Sequence, residues 1–379
     1  MPARMRMLST ALAWRNLMQN RKRTLTALGG ISFAVLLVFM QLGFLLAAKR
    51  GATLLYEDFN FDIALLSDQY QSVSKLGDFS RGRLAQVASI PGVAAVAPLR
   101  VKNAKWMNLE TEDDSSVMIL GLPSDPSWLR NPGLRAGLPL LQRNDQLLAD
   151  TLSHEDMGKM VVGKAAQIGG DTFQINGLFE QGMSMFSEGA AAVTETGFEH
   201  IFRGGTAQVS IGLVRVNPGI DSALVVQVLR ESLPPDIVVF TRAALMKQEQ
   251  DYFVAVKPVG IVFQVGVFVA VAVGVVILFQ VLSTEVSNRL REYATMKALG
   301  FGNGFIYRIG IVQALIFAVM GFIPALILSA GVYWVVRVLS RLPMQLTPGL
   351  IAFVFGLSII MCVVSCVMAL GKVRRADLF

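Results

Sequence analysis

The sequence predicts an α-helical membrane protein with four transmembrane helices, one plus three, and a large α+β domain between helices 1 and 2. Three observations predict it. Four apolar runs, Leu25 to Ala48, Val259 to Leu282, Ile309 to Val336 and Leu350 to Leu370, carry no formal charge. Each has about 20 residues or more, enough at about 1.5 Å per residue to cross a hydrocarbon core of about 30 Å. Between the first and second runs lies a long stretch of mixed polarity. Hydrophobic residues make up 53% of the chain and charged residues only 16%, which is too apolar for a soluble protein of this length. Soluble core helices seldom run so far without a polar face.

Residues 1–24 come first. Met7, Ala11, Trp14, Leu17 and Met18 fall on one helical face with Arg15 and Arg21 off it. This predicts a cytoplasmic amphipathic helix lying in the membrane interface; a frayed basic tail is the plainer alternative. Run one, assigned to residues 25–48, is too long for a secretory signal core and leads into Lys49-Arg50 instead of a cleavage site. It reads as an uncleaved anchor.

Orientation follows from Lys and Arg beside the spans. Arg4, Arg6, Arg15, Arg21, Lys22 and Arg23 precede the first. Arg289, Arg291, Lys297 and Arg308 lie between the second and third, and Lys372, Arg374 and Arg375 follow the fourth. Four spans put all three segments on one side, the cytoplasm, and residues 49–258 in the periplasm. That large segment has more acids than bases, so the formal charge of +7 is a signal for anionic membrane lipid and not for nucleic acid. Arg337 and Arg341, in the short periplasmic loop 337–349, run against the rule.

The periplasmic domain reads as α+β in two lobes. Phe61 to Ser67, Val117 to Gly121, Thr172 to Phe179, Val209 to Val216 and Ile237 to Thr241 are strand-like. Helices are expected over Phe79 to Ile90, over Ser153 to Met160 with Ser153 as N-cap, and over Asp221 to Leu233. Met107 to Arg143, rich in Pro, Gly and Asp, looks like an inserted lobe. Residues 241–258 are expected to form a stalk helix running nearly unbroken into the second span (259–282), with only Pro258 opposing it.

Catalytic patterns are missing. His154 and His200 form no metal-like pair. Gly158-Lys159-Met160-Val161-Val162-Gly163-Lys164-Ala165 fits a phosphate-binding loop except at Ala165, where Ser or Thr would be needed to hold Mg²⁺. A turn between strands is the expected structure there. Cys362 and Cys366, four apart in the fourth span (350–370), read as packing residues, and the periplasmic domain has no cysteine. The chain is therefore expected to be non-catalytic, with no cofactor or metal of its own.

The spans carry no Asp, Glu, His, Lys or Arg, which disfavours an ion-coupled transporter. Small residues recur at every fourth position: Gly30 and Ala34 in the first span, Gly266, Ala270 and Gly274 in the second, and Gly321, Ala325 and Ser329 in the third (309–336). They permit close helix approach, within the chain or in a dimer. Pro324 is expected to kink the third span.

The cytoplasmic segment 283–308 holds the sharpest short element. Ser283 to Gly300 reads as a helix with Val286, Leu290, Tyr293 and Lys297 along one face, ended by Gly300, Gly302 and Gly304. A short mixed helix held between two spans suits docking into a groove of a cytosolic partner; lying on the headgroups is the alternative.

Arg289-Leu290-Arg291-Glu292-Tyr293-Ala294-Thr295-Met296-Lys297-Ala298-Leu299-Gly300 resembles the inner-loop signature of the FtsX/MacB-type ABC transporter permeases. The one-plus-three topology is that family's as well. Leu12-Ala13-Trp14-Arg15-Asn16-Leu17, Phe39-Met40-Gln41-Leu42-Gly43-Phe44, Gly321-Phe322-Ile323-Pro324 and Leu342-Pro343-Met344 are similar to the DevC-like branch, whereas the tail 371–379 is shorter than that branch's. The resemblance implies that Val286, Arg289, Leu290, Arg291, Glu292, Tyr293, Met296, Lys297, Ala298 and Gly300 form a coupling helix against an ABC ATPase subunit, which binds the ATP and Mg. It implies a homodimer, a membrane-fusion periplasmic adaptor and a TolC-type outer-membrane channel, with efflux driven by mechanotransmission through the inner membrane. The alternative within the family is a lipoprotein-releasing subunit like LolC or LolE, or an FtsX-like regulator.

Overall fold

A computed structural model describes residues 21–182, 187–205, 207–256, 258–288, 295, 298–299, 303–340 and 342–376. They group into two compact units, one of apolar helices and one built mainly from Ala47–Gly260. The first described element is helix α1 (Arg21–Gly51), whose last turn carries Lys49 and Arg50, the sign that complements a helix C-terminus.

The globular unit contains strands β1 (Ile63–Ser67), β2 (Phe79–Ser80), β3 (Val93–Met107), β4 (Asp114–Leu122), β5 (Gln146–Asp150) and β6 (Ala165–Ile168). After them come β7 (Asp171–Phe179), β8 (Gly189–Thr194), β9 (Gln208–Val209), β10 (Ile211–Val216) and β11 (Ile237–Thr241). Interspersed are helices α2 (Leu54–Glu57), α3 (Gly82–Ala88), α4 (Pro132–Gly137), α5 (Glu195–Phe202), α6 (Ser222–Ser232) and α7 (Arg242–Ala255). Nine strands form one sheet in the order β11-β1-β10-β3-β4-β8-β5-β7-β6, and β2 pairs with β9. β6 also pairs with β3, Trp106 opposite Ile168, so the six strands from β3 round to β6 close on themselves.

The two lobes share one strand. Val93 to Leu99 of β3 pair with β10, and Arg100 to Met107 pair with β4. In the first lobe Ile63 and Leu65 of β1 face Leu84 and Val87 of α3 and Val225, Val226 and Leu229 of α6. Ala64 and Leu66 face the opposite way, toward Leu245 of α7. With both faces covered, all five residues of β1 are buried, which explains its unbroken apolar run. β4 is covered in the same way: Val117 and Ile119 serve one core, Met118, Leu120 and Leu122 another. The stretch Met107 to Arg143 is therefore not an inserted lobe. It contributes β4 to the middle of the shared sheet.

Two helix expectations are corrected. Phe79 to Ile90 opens as strand β2, and only Gly82–Ala88 is helical. Ser153 to Met160 contains a single 3-10 turn, Glu155–Met157, capped by His154 and not by Ser153. Gly158, at φ +83°, stops it in a conformation that a helix cannot continue. The loop that resembled a phosphate cradle leads from Gly163 (φ +90°) into strand β6 instead of a helix, so it lacks the helix N-terminus that such a cradle uses.

The apolar unit contains most of α1 together with helices α8 (Pro258–Asn288), α9 (Asn303–Ser340) and α10 (Pro348–Ala376). The stretches apolar enough to span a membrane are Leu25–Gly51, Gly260–Thr284, Tyr307–Leu339 and Pro348–Gly371. Each extends one to three residues past the sequence-based bounds at one or both ends. α1 lies against its neighbours through small residues and a few polar bonds. Ser32 Oγ donates to the Gly321 carbonyl at 2.9 Å, Tyr333 Oη donates to the Phe39 carbonyl, and Phe39 meets Phe322 at a ring separation of 5.7 Å. Cys362 and Cys366 are buried in this packing. Pro324 lies inside α9.

Candidate functional site

The segment expected to couple to a partner begins where α8 ends. Val286 is buried, and Thr284 Oγ1 donates back to the Gln280 carbonyl at 2.8 Å. Thr295 and Ala298 are helical, and the Leu299 amide donates to the Thr295 carbonyl at 3.0 Å. The Leu299 side chain is largely exposed. Arg289, Leu290, Arg291, Glu292, Tyr293, Met296, Lys297 and Gly300 lie outside the described residues, as do residues 1–20 of the expected amphipathic helix.

The small residues of the spans meet partners inside the chain. A Cβ added to Gly274 would stand 2.3 Å from Met361 Cε and 3.6 Å from Ala34 Cβ. One at Gly266 would reach Gln41 Oε1 at 2.5 Å, and one at Gly30 would reach Val281 Cγ2 at 3.2 Å. Ala34 and Ala270 are buried. In the third span, a Cβ on Gly321 would be 2.5 Å from Ile31 Cγ2, and Ala325 and Ser329 are fully covered. These glycines set how closely α1 approaches α8 and α9.

Helix α7 is the last element of the globular unit before the second span. Thr241 Oγ1 accepts from the Ala244 amide at 3.2 Å and caps it. Two of its side chains grip Tyr56 of α2, the first helix after α1. Arg242 Nη2 donates to the Tyr56 carbonyl at 2.9 Å, and Tyr56 Oη donates to Glu249 Oε1 at 2.7 Å. Tyr70 Oη donates to the same oxygen at 2.7 Å. Glu249 and Tyr56 are each 1% exposed, so the hydrogen bonds operate in a dry interior. Burial pushes the Glu249 carboxyl up while the two phenol hydrogen bonds pull it down, and burial prevails. No sequence signal marks this cluster, because its members are 193 and 179 positions apart.

The stalk expected over 241–258, with only Pro258 opposing it, is met by two helices. α7 ends at Ala255 with Val256 as its C-cap, and α8 starts at Pro258, whose missing amide suits the first turn of a helix and not its interior. The junction is nonetheless tight. A Cβ on Gly260 would lie 2.2 Å from the Phe253 carbonyl oxygen and 2.6 Å from Val254 Cα. Gly260 therefore packs against the last turn of α7.

His154 Nδ1 caps its 3-10 turn, and His200 packs edge-on against Phe173. Among the described residues no three His, Cys, Asp or Glu gather to hold a metal.

Residues 24–232 match the MacB-like periplasmic core domain family, and residues 265–378 match the FtsX-like permease C-terminal family. The chain is similar to the periplasmic region of MacB from Actinobacillus actinomycetemcomitans, with 9% identity over 51% of this chain and 94% of that one and a TM-score of 0.35. It is similar to the extracellular domain of the noncanonic ABC-type transporter YknZ from Gram-positive bacteria, with 16% identity over 47% and 98% of the two chains and a TM-score of 0.32. A domain of a permease protein from Porphyromonas gingivalis shows 17% identity over 48% and 92%, with a TM-score of 0.32. None of the curated proteins matches the chain.

Proposed function

The chain belongs to the FtsX/MacB-type family of ABC transporter permeases, and we propose that it works as the transmembrane subunit of a mechanotransmission exporter. As a family member it is a multi-pass inner-membrane component that works with an ABC ATPase. The finer reading is that two copies pair, with an ATPase subunit bound beneath each. ATP-driven closure then moves the segment 283–308 and, through the spans, the periplasmic domain. Cargo taken from the periplasm or outer leaflet leaves through a membrane-fusion adaptor and a TolC-type channel, and the likeness of the spans to the DevC-like branch favours that assembly.

The observation that carries this reading is the arrangement of one chain. A domain of core-packed strands sits between the first and second of four apolar helices, and its first and last helices are bonded to each other through Tyr56, Arg242 and Glu249. A domain held at both of its connections to the spans moves as one body when either connection moves.

Glu292→Lys tests the coupling. Reversing a charge on the segment facing the ATPase should leave assembly intact and lower cargo-stimulated ATP hydrolysis at least tenfold, the effect of losing about 1.4 kcal/mol of coupling. Unchanged stimulation and unchanged export would remove the docking role from this segment. Intact coupling with no export would move the output to lipoprotein release or regulation.

Orientation has its own test. With Cys362 and Cys366 replaced, single cysteines at Arg291 and Asp145 should respond oppositely to an impermeant thiol reagent on whole cells. Labelling at 145 and protection at 291 are expected. The reverse pattern would invert the proposed topology.

A further inference from the structure

A small cleft of about 260 Å³ lies beside helix α5 in the globular unit. Arg100 and Lys102 of β3 line it, with Phe202 of α5, Gly204 from the turn that follows, and Gln208 of β9.

The sequence sets both cations on one side. Residues 100 and 102 are two apart on a strand, so their side chains leave the same face of the sheet. Helix α5 covers that face, and its Phe198 and Phe202 are one turn apart with ring centres at 4.6 Å. Gly121 of β4, paired with Arg100, makes room for this packing. A Cβ on it would stand 3.1 Å from Arg100 Cβ and from Phe198 Cβ.

Aromatic rings hold the two cations in place. Arg100 Cζ is 4.5 Å from the Phe198 ring centre, and Lys102 Nζ is 5.1 Å from that of Phe202. Attraction to a ring face positions a cation without neutralising it. Lys102 is exposed and makes no ion pair among the described residues.

Arg100 is the unusual member. It is 7% exposed, yet its guanidinium makes no hydrogen bond among the described residues. The nearest carboxylate oxygen, Glu199 Oε1, is 3.6 Å from Nη1, beyond hydrogen-bond reach, and both atoms are buried without a partner. Nη2 has a different setting. It reaches toward Gly204 in the cleft wall, 3.9 Å from where a Cβ on that glycine would stand, and unlike Nη1 it is not shut off from solvent. A largely buried charged donor left without an acceptor is costly, so an acceptor arriving through the cleft is favoured.

The carboxylate on the cleft wall is Asp78, and its Oδ1 already accepts from Ser210 Oγ at 2.8 Å. Two cations against one carboxylate suit an anion. The volume falls below the range for whole drug-sized molecules and fits a charged group with the rest of its carrier outside. The donors come from two strands, β3 and β9, and a phosphate presents three acceptor oxygens in more directions than a planar carboxylate does.

We propose that this cleft binds a phosphate group, with Arg100 Nη2 and Lys102 Nζ as its charged donors and the Gln208 amide as a neutral one. A soluble phosphate ester and a lipid headgroup offer the same chemistry. The binding does not depend on the export reading above.

The test titrates the purified full-length chain in a non-ionic detergent by calorimetry at fixed ionic strength. One arm uses glycerol 3-phosphate, a second uses dihexanoyl phosphatidic acid, and acetate is the control. Saturable heat above that of empty micelles is expected with at least one of the two phosphates and not with acetate. Lys102→Ala, at an exposed position, should weaken binding about tenfold, and Lys102→Glu should abolish it. Arg100→Gln should abolish it as well, with the fluorescence of Trp106 and Trp128 showing that the domain is still folded. Tighter binding of the lipid assigns a headgroup, and equal or tighter binding of glycerol 3-phosphate assigns a soluble ester; the site stands in both cases. No saturable binding in either arm, binding of acetate as tight as that of the phosphates, or wild-type affinity in Lys102→Glu would overturn it.

Discussion

Glu249→Ala is expected to loosen the base of the globular domain more than any other single truncation there. It removes the acceptor of two phenol hydrogen bonds, one buried and one part-buried, and leaves the Tyr56 hydroxyl, in a residue 1% exposed, without its partner. A hydrogen bond to a charged group contributes about 1.5–3 kcal/mol and an orphaned buried donor costs about as much again, so a loss of about 3 kcal/mol is a conservative expectation. For a domain of this size that lowers the apparent Tm by roughly 6–12 °C. Fluorescence of Trp106 and Trp128, both buried in this domain, reports the transition. Glu249→Gln keeps an acceptor and sheds the burial cost of the charge, so its loss should stay near about 1 kcal/mol. Equal losses in the two variants would show that the charge, and not the hydrogen bonding, holds α7 to α2.

The parts of the fold that could be read from the sequence were those whose pattern is local. The spans are uninterrupted apolar runs, and strands such as β1, β4 and β7 are apolar enough, or alternate cleanly enough, to stand out. β3 did not, because Ala-rich and Lys-bearing segments surround Pro98, a residue that usually disqualifies a strand. Pro98 is tolerated there because β10 pairs on one side while β4 pairing starts only at Arg100. β8 was missed for a related reason. Gly189 to Ala192 have low strand propensity, yet they form a buried strand between β4 and β5. A Cβ on Gly189 would be 2.1 Å from Ser153 Oγ.

The candidate site divides along the same line. The coupling segment was assigned from consecutive residues, most of which lie outside the described residues. The Tyr56–Glu249 contact gave no such signal, because it joins residues far apart in the chain whose types, taken singly, carry nothing unusual. The stalk was expected to run nearly unbroken with only Pro258 opposing it; the described residues hold α7 as far as Ala255 and α8 from Pro258, with Gly260 packed close on Phe253 and Val254.

The central claim is that movement, and not chemistry, passes between the spans and the periplasmic domain, and that α7 is one of its carriers. A Gly-Gly-Ser insertion after Gln250 tests this most directly. The insertion falls beyond Arg242 and Glu249, the residues that hold α7 to α2, and before the junction at Val256, so the domain should keep its fold while the last turn of α7 loses its register. Glycine in mid-helix costs about 1 kcal/mol per residue and adds chain freedom, which removes stiffness without touching any ligand-binding group. Measured side by side in vesicles holding the complete assembly, ATP hydrolysis should continue at near its normal rate while export falls to background. Export at the normal rate through a chain softened at this point would contradict mechanical transmission along α7.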